Sequence, residues 1–593
     1  RLFSMKDLKI LGRHNAQNVL ISLAICYNYG IIIDTIIFAC KNFGGVEHRI
    51  EFVRELNGIK FYNDSKGTNV DSTIKAIEAL EKPIILIVGG YDKNVDFNPL
   101  FESFNGKVKT LILVGDTKYK FYDKRVPIAD DNPAVHFDET KCKNCTLCRR
   151  ACETTQTVLD YYSLERTGDV PVCVHCGQCA NACPFGAMME VDDTNLVKAA
   201  IADPDKVVVF QTAPAVRVAI AEEFGAEAGT FAQGKMISAL RALGGDYVFD
   251  TNFGADMTIM EEASELVRRI TTGNFAMPQF TSCCPAWVEF AETFYAEYIP
   301  HLSSAKSPIL MQNTTEKIWF AEKAGIDPQK MVTVCVTPCT AKKAEIKRKE
   351  LNAAAEYWHI DGLKDSDICI TTRELARWLK AENVDFNALD DGIFDSHLGE
   401  ASGGGIIFGS TGGVMESALR SAYYFYTGKP MPAEYIPYEP VRGLDGVKEA
   451  TIDFAGISLH VAVVSGLGNA RRFLDKIMAD GTFKDYTFIE FMACQGGCIS
   501  GGGQPKVKMP LVQKTNQARM NALYKRDSEV SIKAAWENPE IQELYSDFYG
   551  QPLSERSEKY IHTFFEDKSG NLGEGGAVTP QTNPLSPKYK PTE

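Results

Sequence analysis

The chain has 593 residues, 45% of them apolar, too long for one ordinary domain and rich enough in apolar residues for two to four with cores of their own. A formal charge of −14 argues against a nucleic-acid partner, because phosphate recognition needs local positive charge. Its 17 cysteines are odd in number, and eight crowd between Cys142 and Cys183, so they read as metal ligands in a reducing, cytoplasmic compartment and not as disulfide staples.

At the N-terminus, Arg1 to Lys9 is mixed and charged, unlike a signal peptide, and the runs VLISLAICY and IIIDTIIFA between residues 17 and 40 are too short to span a membrane. They read as a buried helix ending near Gly30 with packed elements beside it, and Cys26 and Cys40 read as core. IKAIEALE, 74–81, predicts a helix; PIILIVGG, 83–90, and TLILVG, 110–115, predict buried strands. Short apolar strands between helices imply a Rossmann-like α/β domain with a mostly parallel sheet over residues 1–125.

Within that stretch, Gly12-Arg13-His14-Asn15-Ala16-Gln17-Asn18, Glu47-His48-Arg49-Ile50-Glu51 and Asn63-Asp64-Ser65-Lys66-Gly67-Thr68-Asn69 resemble the C-terminal domain of the Mur ligases, above all the D-glutamate-adding enzyme. The resemblance implies that Ser65, Lys66 and Thr68 lie in a loop near the amino-acid substrate and nucleotide. It stops near Lys118, and no Gly-x4-Gly-Lys-Ser/Thr phosphate loop precedes it, so ligase activity is not expected. A docking module, a folded spacer and a gene-fusion remnant all stay open.

Residues 131–200 change character. Cys142, Cys145, Cys148 and Cys152 are separated by two, two and three residues, and Cys173, Cys176, Cys179 and Cys183 repeat the spacing ahead of Pro184. This is the pattern of a bacterial-type ferredoxin-like domain with two 4Fe-4S clusters. A cubane needs four thiolates at tetrahedral corners. Two-residue gaps let one tight loop wrap three corners with backbone N–H groups aimed at the sulfides. The fourth ligand belongs to the other cluster, which gives Cys142, Cys145, Cys148 and Cys183 as one set and Cys173, Cys176, Cys179 and Cys152 as the other. Zinc is the competing reading, and the duplicated crossover spacing speaks against it. Glu153 stands where proline is usual and is expected to change a turn, not ligation. Such a segment is held by its metal more than by a core.

Residues 205–568 return to mixed α/β. VVVFQTAP, 207–214, and HVAVVSGL, 460–467, predict strands, and so does GGGIIFGSTGG, 403–413, between glycine turns. TIMEEASELVRRI, 258–270, predicts a helix with Ile259, Leu266 and Ile270 on one stripe. Glu262, Glu265 and Arg269 share another face, which by itself reads as a solvated, salt-bridged surface. Four further segments carry cysteines: Thr281-Ser282-Cys283-Cys284-Pro285, Thr337-Pro338-Cys339, Met492-Ala493-Cys494 and Gly496-Gly497-Cys498. No tight loop wraps them, so ligands from separated loops would meet in a buried site, where glycines allow backbone close to an inorganic group. Pro285 suits the first turn of a helix over AWVEFAETFYAEYI, and a thiol at that helix N-terminus titrates more easily. Residues 569–593 hold glycines and prolines without periodicity, and disorder is expected there.

In this order, after a two-cluster domain, the four segments resemble the signature motifs of the FeFe-hydrogenases. The resemblance covers about 137 to 566. It implies an H-cluster, a 4Fe-4S cubane joined to a two-iron unit with CO, cyanide and a bridging azadithiolate. Cys284, Cys339, Cys494 and Cys498 match the cubane ligands, Cys498 being shared with the two-iron unit. Cys283 matches the cysteine that exchanges protons with the bridging amine, Lys342 the lysine beside a cyanide, and Met492 a methionine packed at the two-iron unit. The implied proton chain runs from solvent through Glu262, Ser303 and Glu265 to Cys283, with Arg269 near its mouth. The implied activity is reversible reduction of protons to hydrogen, with a ferredoxin-like carrier and maturation proteins as partners.

The sequence departs from the family at Thr337, where a methionine usually packs on the two-iron unit. Threonine there leaves space, admits water or donates to a cluster ligand, any of which alters potential or bias. Cys335 shares the face of Thr337 if this is a strand, and reads as a packed thiol. Besides a catalytic hydrogenase, a weakly active or non-catalytic hydrogen- or redox-sensing protein stays open. An iron-only scaffold of the cluster-assembly type fits less well, because Cys283, Lys342 and all four cubane cysteines are present. No flavin or nicotinamide motif is present, so direct NAD reduction by this chain alone is not expected.

Overall fold

The apolar runs and their glycine punctuation build a multidomain α/β protein with a ferredoxin-like 4Fe-4S subdomain, seen here in a computed structural model that describes residues 4–90, 97–114 and 125–580. The chain divides into two units, Arg1–Lys124 and Arg125–Glu593.

In the first unit, helices Arg13–Asn28 and Ile33–Asn42 precede an antiparallel hairpin of β1 (Glu51–Leu56) and β2 (Ile59–Asn63). Helix Val70–Ala79 then leads to two parallel strands, β3 (Ile84–Gly89) and β4 (Val108–Val114). The core is small and centres on Ile77, Ile84 and Leu100. The expectation of a buried first helix fails: Leu20 is 60% exposed and Phe38 69%, and Cys26 and Cys40 are only half-buried. Apolar residues occur on every side of these two helices, more than this unit's two-stranded parallel sheet covers. Residues 115–124, where the Mur resemblance stops, lie outside the described residues.

In the second unit, the parallel sheet runs in the order β11 (Ile368–Thr371), β10 (Met331–Thr337), β7 (Val207–Thr212), β8 (Tyr247–Asp250). A mixed sheet runs β12 (Val447–Phe454), β13 (Ile457–Ser465), β14 (Phe488–Met492), β9 (Gln279–Phe280), with only the β12–β13 pair antiparallel. Helix Thr251–Thr272 is buried along most of its length, in the core that also holds Phe249, Met311, Trp319 and Val461.

The cysteine-dense segment has a short antiparallel pair, β5 (Val135–Phe137) and β6 (Met188–Glu190). It is not held by metal alone: Val135, Val158, Val174 and Met188 join Trp287, Phe290, Val464 and Phe491 in one core. Glu153 lies in a widened helical turn, Ala151–Thr155, and its buried carboxylate takes the Arg149 guanidinium at 2.5 Å.

Two predicted elements differ. Residues 403–413 are not a strand: Gly403–Ile407 is a short helix, capped by Ser402, whose Oγ accepts from Gly405 N–H at 3.2 Å. A Cβ on Gly405 would lie 2.5 Å from the Asn252 carbonyl, so glycine lets this turn rest on helix Thr251–Thr272. Residues 569–580 are ordered against the protein: Leu572 is buried, and Val578 N–H donates to the Tyr161 carbonyl at 3.0 Å. Residues 581–593 of the expected disordered tail lie outside the described residues.

Candidate active site

Three strands deliver the site at their C-terminal ends. β9 leads into Cys283 and Cys284, β10 ends at Thr337 just before Cys339, and β14 ends at Met492 just before Cys494. Cys284 is the N-cap of helix Pro285–Phe294, with proline in its first turn. Thr281 stitches the first loop to the third: its N–H donates to Ile489 O at 3.2 Å, and its Oγ1 accepts from Phe491 N at 3.0 Å. Trp287 donates to Thr281 O at 3.1 Å and stacks on Phe491 at 4.0 Å between ring centroids. These contacts bring Ala493 N–H to 3.4 Å from Cys284 Sγ.

Glycines close the remaining side. A Cβ on Gly501 would sit 2.3 Å from Pro338 O, one on Gly502 2.3 Å from Cys176 O, and one on Gly497 3.0 Å from Met492 Sδ. Gly503 N–H donates to Pro338 O at 2.8 Å. Cys284, Cys339, Cys494 and Cys498 therefore face one another. Burial first, and the neighbouring thiols next, push Cys339 and Cys494 well above their ordinary value, and Cys498 up to about 12. Thiols that are costly to ionise without a cation, gathered with backbone pressed against them, suit an iron–sulfur cluster that takes them as thiolates. Among the described residues no three His, Cys, Asp or Glu side chains converge on a single metal ion; a cubane spreads its ligands over a larger inorganic core.

Cys283 is brought beside this set. Burial, then the Glu262 carboxyl, holds its thiol well above the ordinary value, against the tendency expected of a helix N-terminus. Lys342 Nζ donates to Cys283 O at 3.1 Å and pairs with Glu345 at 2.9 Å. Burial disfavours the Lys342 charge, but Glu345 and the Cys339 and Cys283 thiols outweigh it and its pKa is raised. Thr337 is buried, and its hydroxyl turns back on its own loop, donating to Cys339 O at 3.0 Å and accepting from Cys339 N at 3.3 Å. Cys335 is a packed thiol taking Asn313 Nδ2 at 2.9 Å.

Glu262, Glu265 and Arg269 share one face of helix Thr251–Thr272, but that face is buried, with exposures of 1%, 3% and 4%. The order expected from the sequence is reversed. Glu265 sits at the outer end, pairing with Arg269 at 2.6 Å and accepting from Ser303 Oγ at 2.7 Å. Arg269 is fixed in turn by the carbonyls of Ala276, Pro300 and Leu302. Glu262 is the inner residue beside Cys283. It lies one helical turn before Glu265, and its carboxyl is the one that acts electrostatically on the Cys283 thiol. Both its carboxyl oxygens are buried without a hydrogen-bond partner, and burial, then Glu265, raises its pKa well above the ordinary value.

In the ferredoxin-like segment, the loops aim N–H groups at sulfur, His175 at Cys173 (3.3 Å) and Met188 at Cys183 (3.4 Å). Cys145 and Cys183 adjoin Cys148, and Cys176, Cys173 and Cys179 adjoin Cys152, so the chain crosses between two groups of cysteines. Cys145 is the exposed member. Sequence reasoning missed Gln178, which lies between Cys176 and Cys179 and reaches Cys494, 316 positions away. It also missed Glu490, a buried carboxylate on β14 that takes Gly412 and Met415 N–H at 2.7 Å each. In the first unit, Ser65, Lys66 and Thr68 occupy the loop between β2 and helix Val70–Ala79, with Ser65 N–H on Asn63 Oδ1 at 3.0 Å.

The sequence matches the family model for the iron only hydrogenase large subunit, C-terminal domain, over residues 206–502, and that for the iron hydrogenase small subunit over 513–568. A 4Fe-4S binding domain matches 169–189, and the Mur ligase, glutamate ligase domain matches 48–141. The NADP-reducing hydrogenase subunit HndD of Solidesulfovibrio fructosivorans is 43% identical over 455 residues, 74% of this chain and 75% of its own. UDP-N-acetylmuramoylalanine--D-glutamate ligase of Thermoanaerobacter sp. (strain X514) is 53% identical over 123 residues, 21% of this chain and 27% of the ligase. The structure of an apo FeFe-hydrogenase variant from Chlamydomonas reinhardtii aligns with a TM-score of 0.56 at 38% identity, covering 64% of this chain and 99% of that one.

Proposed function

Because this chain belongs to the FeFe-hydrogenase family, joined to a Mur-ligase-like unit, we propose that it interconverts protons and molecular hydrogen with electrons from a ferredoxin-like carrier. The observation that carries this reading is the partnerless, buried Glu262 carboxyl between the Cys283 thiol and the Ser303–Glu265–Arg269 chain.

Cys284, Cys339, Cys494 and Cys498 would hold the cubane of an H-cluster, with Cys498 shared by the two-iron unit. Cys142, Cys145, Cys148 and Cys183 would hold one accessory 4Fe-4S cluster, and Cys173, Cys176, Cys179 and Cys152 the other. When bound, the H-cluster supplies the metal centre where protons and electrons combine, which is chemistry that no side chain provides. The protein supplies the proton path. Arg269 holds the Glu265 carboxylate in place. Ser303 donates to Glu265 and can pass a proton inward as it accepts another. Burial disfavours the charge of Glu262 and raises its pKa, which favours the protonated form, so its partnerless carboxyl can hold a proton. Cys283 receives that proton and presents it at the active-site end, by direct approach or through one water. Lys342 places positive charge against the backbone of Cys283, and Met492 fills the floor at Gly497.

Electrons would enter at the first accessory cluster, where Cys145 is exposed and so are Lys143 and Arg150, near it in the chain. Those positive charges suit an acidic soluble carrier. Among the described residues no helix is long and apolar enough to cross a membrane. Assembly of the two-iron unit calls for separate maturation proteins. The alternative, a weakly active or hydrogen- or redox-sensing protein, draws on Thr337, whose hydroxyl is spent on the Cys339 backbone where the family usually has a methionine.

The test is hydrogen evolution from reduced methyl viologen, after anaerobic loading with the synthetic two-iron cofactor. Sustained evolution is expected. None, with the infrared bands of a correctly bound cofactor present, moves the protein to the sensing class.

A further inference from the structure

Where the ferredoxin-like loop meets the active-site loop, two backbones are in close contact. Gly177 has φ +67°, and a Cβ there would be 2.3 Å from Thr340 Oγ1 and 3.1 Å from Gly502 Cα. Thr340 Oγ1 donates to His175 O at 2.7 Å. Asn181 Nδ2 donates to Gly501 O at 3.0 Å, and Arg373 locks the seam by donating to Asn181 Oδ1, Gly502 O and Gln504 O, each at 2.6 Å. Five hydrogen bonds besides those of Gln178 hold the seam, so it does not depend on Gln178 to hold together.

Gln178 does something the others do not. It lies between Cys176 and Cys179. Its side-chain Nε2 donates to Cys494 Sγ at 3.2 Å and to Ser500 O at 3.0 Å. The carboxamide Oε1 accepts from Asn181 Nδ2 at 3.4 Å, which fixes the amide with its nitrogen toward sulfur. A residue set between two cysteines of the ferredoxin-like loop thus hydrogen-bonds a sulfur of the active-site set.

We propose that Gln178 is a positioning residue for electron entry, bridging the Cys173/Cys176/Cys179/Cys152 cluster to the active-site cubane and raising the potential of that cubane through its N–H···S bond to Cys494. This rests on the cluster assignments proposed above. The physical ground is general: reduction adds negative charge that is partly carried by the ligand sulfurs, and a donor aimed at one of them stabilises the reduced state. A charge-neutral amide does this without a proton changing place. With both clusters bound, the electron that an accessory cluster would pass to the active-site cubane would come from the soluble low-potential carrier. No bond to Gln178 is made or broken.

The test uses the full chain reconstituted anaerobically with iron and sulfide, without the two-iron unit, and follows each cluster by EPR during a redox titration. Gln178→Met keeps the length and loses the donor. Gln178→Glu keeps the shape and adds a negative charge. The expected result is a shift of the active-site cubane to more negative potential in Gln178→Met and further in Gln178→Glu. The accessory cluster should move less, because the side-chain donor lies on Cys494 and not on an accessory-cluster sulfur. Iron content and thermal midpoint are read on the same samples, and if one variant loses a cluster the other carries the test. An active-site cubane at wild-type potential in a variant with all clusters present would overturn the bridge while leaving the cluster assignment intact. A wild-type protein that builds the accessory clusters but no cubane on Cys284, Cys339, Cys494 and Cys498 would overturn the assignment, and the bridge with it.

Discussion

Ser303 Oγ lies 2.7 Å from Glu265 Oε2, inside the protein and beside the Arg269 guanidinium that holds the other carboxylate oxygen. Ser303 is placed there by β9, since its N–H donates to Phe280 O at 2.9 Å. Replacing Ser303 with alanine deletes the hydroxyl that donates to Glu265. Hydrogen evolution by the loaded enzyme should fall about 100-fold, while stability drops by only about 1 kcal/mol for the lost hydrogen bonds. Turnover with a viologen donor and a denaturant melt on the same variant check both halves.

Glu262 offers a sharper separation of function from structure. Its carboxyl is buried and without a partner, and burial favours its uncharged form. Glu262→Gln should therefore leave the unfolding free energy within about 1 kcal/mol of wild type and still slow proton-dependent turnover about 100-fold or more. A variant that loses stability and keeps its rate would mark Glu262 as structural.

Glu190 ties the ferredoxin-like segment to the α/β part. Burial alone would raise its pKa, yet Arg373 and Arg377 hold it at about 2 against an ordinary value of 4.5. The folded pKa lies below the unfolded one, so this stabilisation is complete above pH 4.5 and is lost as pH falls towards 2. It amounts to about 3 kcal/mol. Glu190→Gln should be destabilised at pH 7, and the gap to wild type should narrow progressively between pH 4.5 and the folded value, as read by denaturant unfolding across that range.

Gly502→Ala addresses the seam itself. The added Cβ would meet Cys176 O at 2.3 Å and Gly177 Cα at 2.8 Å, backbone on both sides with no flexible end to give way. Loss of the active-site cubane signal, with the EPR signal of the Cys142/Cys145/Cys148/Cys183 cluster retained, is the expected outcome.

Much of this was legible in the sequence because cluster ligation is local. The duplicated cysteine spacing fixes two loops without any tertiary information, and the glycines around Cys498 announce a backbone that must come close to something. The strands 207–214 and 460–467 could be read from their apolar runs. What could not be read is what depends on contacts far apart in the chain. GGGIIFGSTGG looks like a strand in isolation and becomes a helical turn because Ser402 caps it and Asn252 presses on Gly405. Glu262 and Glu265 share one stripe of their helix, so spacing alone does not say which faces Cys283. Only the position of Ser303, brought in by another loop, and the carbonyls that fix Arg269 decide it. Gln178 reads as an ordinary polar residue between two ligands until Cys494 arrives beside it.

The most direct test of the proton path is to load wild type and Cys283→Ala equally with the two-iron cofactor and compare their hydrogen evolution. Equal cofactor infrared bands, with turnover in Cys283→Ala falling to background, are expected. Wild-type turnover in Cys283→Ala would show that protons reach the site by another way, and the chain from Arg269 to Glu262 would lose its role.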